Sequence, residues 1–226
     1  MRETADLLKI VERPLYTFSE ADYLASVSPG TSKRWLVGYQ YRTRQGRRVR
    51  QSPVTPQVSV EAAVSFLGLL EVVAIGRLKE FGFSLRSIRM IVENCQRILN
   101  VPRPLTSLGF KIGGRDIFVE RGHELVEVGR RRGMQAWKRV LEPFLEDLDY
   151  ADEMARRWWP IGRANPIVVD PEYAHGLPVV ANSGIRTEII LERFQAGDLD
   201  EQIAEDFNIS TVEVQRALQF ELQRAA

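Results

Sequence analysis

The side chains best suited to binding a ligand are seven basic residues that follow one another with no acid between them. From Tyr23 to Val60 the sequence has no aspartate or glutamate, and its basic residues are Lys33, Arg34, Arg42, Arg44, Arg47, Arg48 and Arg50. Guanidinium and ammonium groups bind phosphate oxygens, and arginine also pairs with guanine. The stretch favours nucleic-acid binding, and the alternative is an ordinary helical hairpin with a solvated basic loop.

Residue types for catalysis or metal binding are few. The histidines, His123 and His175, are far apart in the sequence, and Cys95 is the single cysteine, so the chain has neither a zinc-ligand spacing nor a disulfide framework. No serine–histidine–aspartate signature, phosphate-binding loop or dinucleotide glycine pattern occurs. We therefore expect no enzyme activity, no metal and no cofactor, and the alternative is a hydrolase that uses carboxylates.

The basic residues require a scaffold, which begins with two predicted short helices. Thr17 and Glu20 have the spacing of a capping box for the first helix. Ser28-Pro29 has the form of a serine N-cap followed by proline at the first position of the second helix. Gly38 is expected to end that helix. The two helices are thus separated by a very short turn.

A basic hairpin is predicted after the helices. Residues 39–52 favour two strands around a turn at Gln45-Gly46, which completes the plan of a winged helix-turn-helix. The predicted small core consists of Ala21, Leu24, Val27, Trp35 and Leu36. Gly30, Thr31, Lys33 and Arg34 are expected to face outward. The candidate contacts to double-stranded DNA are Ser28, Gly30, Thr31, Lys33, Arg34, Tyr41, Arg42, Arg44, Arg47, Arg48 and Arg50.

The middle of the chain is predicted to be helical. Helices are expected from Ser59 to Phe81, from Ser84 to about Asn100 and from Met134 to about Trp159, with a hairpin at 110–120. The third helix is either continuous or broken near Pro143. On the second of these helices, apolar side chains recur every three or four residues, as in two coiled-coil heptads: Leu85, Ile88, Val92, Cys95 and Leu99. This seam packs either inside its own subunit or against a second copy, and we take it as the candidate interface of a homodimer. Cys95 is expected to be a buried small hydrophobe.

The C-terminal region predicts a small acidic module. Two short β-prone runs, 167–169 and 178–180, precede three predicted helices at 186–196, 200–207 and 211–224. From Thr187 onward there are nine acids and three basic residues, a balance that repels DNA and favours contact with a protein. The candidate residues for that contact are Trp158, Trp159, Glu201, Glu205 and Arg216, with core packing as the alternative for the tryptophans.

The N-terminal helices resemble the helix-turn-helix of MerR-like and excisionase-like DNA-binding proteins. The matching positions are Tyr16-Thr17, Glu20-Ala21, Leu24, Val27-Ser28-Pro29, Thr31 and Trp35. In those families the position of Ser32 is usually aliphatic and packs inward. Serine here is a departure, which implies a thinner core or a slightly rotated helix.

The C-terminal region resembles a domain of unknown function that is often found in bacterial antitoxins. The shared features are Asp170-Pro171, Gly176, Pro178-Val179, Gly184-Ile185-Arg186, Ala196-Gly197, Ile203-Ala204 and Phe207. The chain as a whole resembles a VapB-type antitoxin, the partner of a PIN-domain ribonuclease toxin. This resemblance implies operator binding by the N-terminal region and toxin neutralisation by another region. The alternative is a stand-alone MerR-like transcriptional regulator without a toxin partner.

These observations predict a mainly α fold in three domains. A winged helix-turn-helix occupies 1–57, a helical middle region with a β-hairpin occupies 58–160, and a small β plus three-helix domain, resembling a helix-turn-helix, occupies 161–226. No run of about 18 apolar residues is present, so we expect no membrane span. The single cysteine is typical of the reducing cytoplasm, which is the expected location.

Overall fold

The structure is a computed structural model that describes residues 2–55, 63–100, 103–108 and 137–225. Within these ranges the chain is mainly helical with short two-stranded sheets, which confirms the mainly α class. Two compact units are present, and the boundary between them falls within one short hairpin. The first unit comprises Met1–Glu146 and Tyr150–Ala155, and the second comprises Asp147–Asp149 and Arg156–Ala226. None of the helices in the described ranges has the length and apolar character needed to cross a bilayer.

The first unit contains five helices and four strands before residue 100, among the residues described. Its helices are α1 (Arg2–Val11), α2 (Phe18–Leu24), α3 (Thr31–Leu36), α4 (Phe66–Glu80) and α5 (Leu85–Leu99). Its strands are β1 (Pro14–Thr17), β2 (Tyr39–Arg42), β3 (Arg48–Gln51) and β4 (Ala63–Ser65). β1 pairs antiparallel with β4, and β2 pairs antiparallel with β3. The register places Pro14 beside Ser65 and Thr17 beside Ala63, so α2 and α4 begin at opposite ends of the β1–β4 pair.

Helix α4 is the centre of the first unit. Twelve of its fifteen residues are buried, so it is apolar on nearly every side rather than on one face. Ser65 caps it by accepting from the Gly68 N–H at 3.1 Å. The predicted helix from Ser59 to Phe81 is therefore shorter, because Ala63–Ser65 is strand β4 and residues 59–62 lie outside the described ranges.

Helix α5 turns its apolar seam into the unit that contains it. Ile88, Val92 and Cys95 are fully buried and Leu85 is half-buried, so the seam packs inside its own subunit. This corrects the assignment of Ile88, Val92 and Cys95 to a homodimer surface, because side chains already enclosed by their own chain are not available to a second copy. The side chain of Leu99 lies outside the described residues. Burial, together with the charge of Glu71, raises the pKa of the Cys95 thiol to about 12, so Cys95 is a core hydrophobe and not a reactive thiol.

The predicted helix from Met134 to Trp159 is wrong over its second half. A π-helical segment, Trp137–Leu141, leads into α6 (Glu142–Glu146), and two strands follow, β5 (Leu148–Ala151) and β6 (Met154–Trp158). The turn between the strands places Asp152 and Glu153 at φ +47° and +67°. Two successive positive φ angles match the right-handed twist of a hairpin and cannot continue a helix. The hairpin predicted at 110–120 lies outside the described residues.

The second unit has the order of elements predicted for the C-terminal region. Strands β7 (Ile167–Val168) and β8 (Val179–Val180) precede α7 (Thr187–Gln195), α8 (Asp200–Phe207) and α9 (Thr211–Ala225). Their shared core is apolar and contains Ile167, Val180, Ile190, Ile203, Ala204, Val214, Ala217, Leu218 and Phe220. The start of α9 is fixed by Ser210, which accepts from the Glu213 N–H at 3.2 Å. The Glu213 carboxylate in turn accepts from the Ser210 N–H at 2.8 Å, which completes a capping box.

Candidate DNA-binding site

Helix α2 begins at the capping box that the sequence predicted. The Thr17 hydroxyl accepts from the Glu20 N–H at 3.2 Å, and the Glu20 carboxylate accepts from the Thr17 N–H at 2.7 Å. These bonds satisfy N–H groups that have no partner within the helix. Ala21 and Leu24 of α2 and Leu36 of α3 are buried, and the two helices are in contact. Packing therefore fixes the angle between the two helices.

A buried carboxylate on α2 sets the start of α3. Asp22 is 5 % exposed, and its two oxygens accept from the N–H groups of Gly30 at 2.6 Å and Ser32 at 2.7 Å. The first residue of α3 is Thr31, and Gly30 precedes it with φ +77°. The predicted N-cap at Ser28 is therefore wrong, because Asp22 accepts from the free N–H groups. A carboxylate at this end also interacts favourably with the helix dipole.

The side chains of α3 and its turn divide into an inner set and an outer set. Ser32 is fully buried and donates its hydroxyl hydrogen to the Phe18 carbonyl at 3.0 Å, so serine takes the inward position with a hydrogen bond. Thr31 is also buried and accepts from the Arg34 guanidinium at 3.0 Å, which corrects the prediction that Thr31 faces outward. The outer, exposed set comprises Ser28, Gly30, Lys33 and Arg34.

The basic residues after α3 lie on a hairpin. β2 and β3 pair with Tyr39 opposite Gln51, and Gly46 closes the turn by donating its N–H to the Thr43 carbonyl at 2.9 Å. Gly46 has φ +78°, the conformation that favours glycine, and the predicted turn at this position is confirmed. The candidate DNA contacts that the hairpin exposes are Tyr41, Arg42, Arg44, Arg47, Arg48 and Arg50.

The base of the hairpin is tied to two helices. Arg89 of α5 donates to the Pro53 carbonyl at 3.2 Å and to the Ser52 carbonyl at 3.0 Å. Val54 donates its N–H to the Trp35 carbonyl of α3 at 2.7 Å. These bonds connect the end of the hairpin to α5 and to α3. Arg89 is not predictable from the sequence, because no local pattern links residues that are 36 positions apart.

The first unit also contains a buried polar cluster. Arg103 donates to Glu12 at 2.7 Å, and the second oxygen of Glu12 accepts from the Ser65 hydroxyl at 2.8 Å. Glu71 of α4 is fully buried and accepts from the Leu105 N–H at 3.1 Å. Burial raises the pKa of Glu71 to about 7, although the Arg103 guanidinium acts in the opposite direction. The cluster therefore contains a carboxyl group that titrates near neutral pH.

The candidate protein-binding residues divide by their exposure. Glu201, Glu205 and Arg216 are exposed on the helices of the second unit. Trp158 is 2 % exposed, so its assignment to a binding surface is corrected and the alternative, core packing, applies. Trp159 is half-buried, and its indole N–H donates to Asp149 at 3.1 Å, an interaction internal to the unit.

Two regions of the chain match described protein families. Residues 14–92 match the family described as "Putative DNA-binding HTH domain". This match covers α2, α3, the hairpin, α4 and about the first half of α5. Residues 167–220 match the family described as "Protein of unknown function (DUF433)", and the match covers β7, β8, α7, α8 and the first ten residues of α9.

Two proteins of Mycobacterium tuberculosis are similar to nearly the whole chain. The protein named "Putative antitoxin VapB45" is 28 % identical over 224 residues, covering 91 % of this chain and 92 % of the relative. The protein named "Uncharacterized protein Rv2308" is 22 % identical, covering 97 % of this chain and 95 % of the relative. The crystal structure of Rv2018 from the same organism has the same fold, with a TM-score of 0.70, 21 % identity and coverage of 91 % of this chain and 97 % of that one. The chain therefore carries a helix-turn-helix of DNA-binding type, and over most of its length it is similar to a protein named as an antitoxin.

Proposed function

We propose that this chain is the antitoxin of a type II toxin–antitoxin module. It binds double-stranded operator DNA through its N-terminal region and thereby regulates its own transcription, and it neutralises a PIN-domain ribonuclease toxin. The observation that carries the DNA-binding part is the exposed surface of α3 and the hairpin, which has seven basic residues and no acid. The similarity to a protein named as an antitoxin supports the toxin-binding part.

The DNA interface uses α3 as the base-reading helix and the hairpin as a wing, in the MerR-like manner. Lys33 and Arg34 are exposed on α3, where they reach base edges and phosphates. Arg44 and Arg47, near the tip of the hairpin, reach the adjacent backbone or minor groove. A homodimer would place two such interfaces on paired half-sites spaced by about 10 bp or a multiple of it.

The second unit is assigned to the protein partner. From Thr187 onward the nine acids and three basic residues give this region a net charge of −6 (3 − 9), which repels a phosphate backbone. Its α8 exposes Glu201 and Glu205, and α9 exposes Arg216. Charged groups of this kind steer a protein of opposite charge and set the orientation of docking.

Fluorescence anisotropy tests the DNA assignment. The full chain is titrated against a duplex from upstream of its own coding region, and Lys33→Ala with Arg34→Ala is expected to weaken binding by about 1–3 kcal/mol for each side chain that reads a base. Lys79→Ala is the matched control, because Lys79 is an exposed lysine on α4 outside the acid-free stretch. Unchanged affinity in the double variant refutes α3 as the reading helix.

Co-expression tests the toxin assignment and separates it from the alternative, a stand-alone regulator. The full chain is expected to co-purify with a PIN-domain ribonuclease encoded in the same operon and to suppress its RNA cleavage. Glu201→Gln with Glu205→Gln is expected to weaken that complex while operator binding is retained. A chain that binds its operator but neither binds nor inhibits such a ribonuclease is a regulator and not an antitoxin.

A further inference from the structure

The hairpin of β2 and β3 has two chemically different faces. Residues directly opposite each other in an antiparallel pair project from the same side of the sheet, and successive residues alternate between sides. The observed pairs are Tyr39 with Gln51, Gln40 with Arg50, Tyr41 with Val49 and Arg42 with Arg48. One side, the tyrosine face, therefore carries Tyr39, Tyr41, Val49 and Gln51. The other side, the arginine face, carries Gln40, Arg42, Arg48 and Arg50.

The tyrosine face presents two aromatic rings to solvent. Tyr39 is 38 % exposed and Tyr41 is 44 % exposed. Their ring centroids lie 5.9 Å apart, with the ring planes inclined by 34°. An amphipathic ring at the surface offers a large apolar area at low entropic cost, which is why tyrosine is common where a partner binds. The fold itself leaves much of this area uncovered.

The surrounding charge identifies what covers the tyrosine face. The hairpin and its turn carry Arg42, Arg44, Arg47, Arg48 and Arg50, and no acid occurs between Tyr23 and Val60. Two copies of such a hairpin repel each other, whereas a polyanion is attracted to both of its faces. A nucleic acid also supplies apolar partners for the rings, since bases and sugars pack well on aromatic side chains.

We propose that the hairpin enters a DNA groove as a two-stranded ribbon and uses both faces at once. The arginine face pairs with phosphates, while Tyr39 and Tyr41 pack against the sugars or base edges of the same site. The strands of the ribbon lie in the major groove, which is wide enough for them, while Arg44 and Arg47 at the tip extend to the backbone or minor groove beside it. This inference rests on the proposed DNA binding and adds Tyr39 as a contact, with a separate, uncharged role for the tyrosine face.

The two roles differ in their dependence on salt, which gives a direct test. Each phosphate contact contributes about 0.9 to the slope of log affinity against log salt concentration, whereas an uncharged contact contributes none. The full chain is titrated against the upstream duplex at several KCl concentrations. Tyr39→Ser with Tyr41→Ser is expected to weaken binding about tenfold or more at every concentration without changing the slope. Arg42→Gln with Arg48→Gln, the matched pair on the opposite face, is expected to lower the slope by roughly 2.

A second measurement keeps both tyrosines in place, so it tests the inference even if the serine variant disturbs the hairpin. The full chain is labelled with 3-fluorotyrosine, and the Tyr39 and Tyr41 signals are assigned from Tyr→Phe variants. Both ¹⁹F resonances are expected to shift when the duplex is added.

Three outcomes overturn the inference while leaving DNA binding intact. In the first, the ¹⁹F resonances of Tyr39 and Tyr41 do not shift when the protein is saturated with duplex. In the second, the serine variant binds the duplex as tightly as the parent chain. In the third, substitution of the tyrosines changes the oligomeric state of the DNA-free protein, which assigns the tyrosine face to a second copy. A parent chain that does not bind the duplex at all refutes the proposed function itself, and the inference falls with it.

Discussion

Replacing Glu71 with glutamine tests the electrostatics of the buried cluster. Glu71 is fully enclosed in α4, and its Oε1 accepts from the Leu105 N–H at 3.1 Å. Glutamine has nearly the same shape and keeps that acceptor, so Glu71→Gln removes the ionisable proton and little else. Arg103 retains Glu12 as its ion-pair partner at 2.7 Å, so no cation is left unpaired by the substitution.

The magnitude follows from the pKa of Glu71, which burial raises from 4.5 to about 7. The folded chain holds this proton more tightly than the unfolded chain does. The stability that protonated Glu71 contributes is therefore fully present below pH 4.5 and is lost as the pH rises through about 7. At 1.36 kcal/mol for each pKa unit, the whole change is about 3 kcal/mol. Relative to the parent chain, Glu71→Gln is expected to gain about this much free energy of unfolding between pH 4.5 and pH 8.

Urea denaturation of both proteins at half-unit steps from pH 4.5 to pH 8 measures this difference. The difference in unfolding free energy between the two proteins cancels the pH dependence that arises from the ionisable groups they share. Glu80→Gln is the matched control, since it makes the same glutamate-to-glutamine change at an exposed position of the same helix. A stability difference between Glu71→Gln and the parent chain that stays constant with pH refutes a raised pKa. A difference that shifts in favour of the parent chain as the pH rises means that Arg103 outweighs burial.

Two further substitutions test the geometry of the helix-turn-helix and the hairpin. Asp22→Asn removes the charged acceptor of two N–H groups, which lie 2.6 Å and 2.7 Å from the carboxylate oxygens. The substitution is expected to lower the free energy of unfolding in urea by about 1–3 kcal/mol and to weaken operator binding. Wild-type values for both measurements would contradict the role of Asp22. Gly38→Ala places a Cβ 2.4 Å from the Gln51 carbonyl oxygen at φ +85°, whereas Gly46→Ala at φ +78° meets no atom within 4 Å. The first is expected to lower the thermal midpoint clearly more than the second, and equal midpoints would contradict the close approach at Gly38.

The features that sequence reasoning predicted well are those in which both partners lie within a few residues. The capping box of Thr17 with Glu20 depends on a spacing of three, and it is present. The hairpin turn at Gly46 and the three C-terminal helices are likewise set by short-range patterns. Such local interactions depend little on the tertiary contacts that distant parts of the chain make.

The predicted helix from Met134 to Trp159 was wrong over its second half because its turn carries only a weak sequence signal, Asp152. Asp152 and Glu153 adopt positive φ angles that glycine or asparagine usually provides in a hairpin. The strands beside them mix apolar and charged residues in a way that also suits a helix face. Bridges from Ser107 to Met154 and from Trp158 to Val169 fix strand β6 at each end. Contacts from distant residues therefore outweighed the local preference of this segment.

Asp22 shows why the charge of a sequence and the charge of a surface must be counted separately. It is the last acid before a long basic stretch, and by position alone it reduces the attraction of this region for phosphate. The folded chain buries it and uses both of its oxygens to hold the N–H groups of Gly30 and Ser32. Those N–H groups are then unavailable to DNA, so phosphate binding must come from side chains such as Lys33 and Arg34 and from the hairpin. The same carboxylate that shapes the start of α3 thus leaves recognition to the exposed side chains.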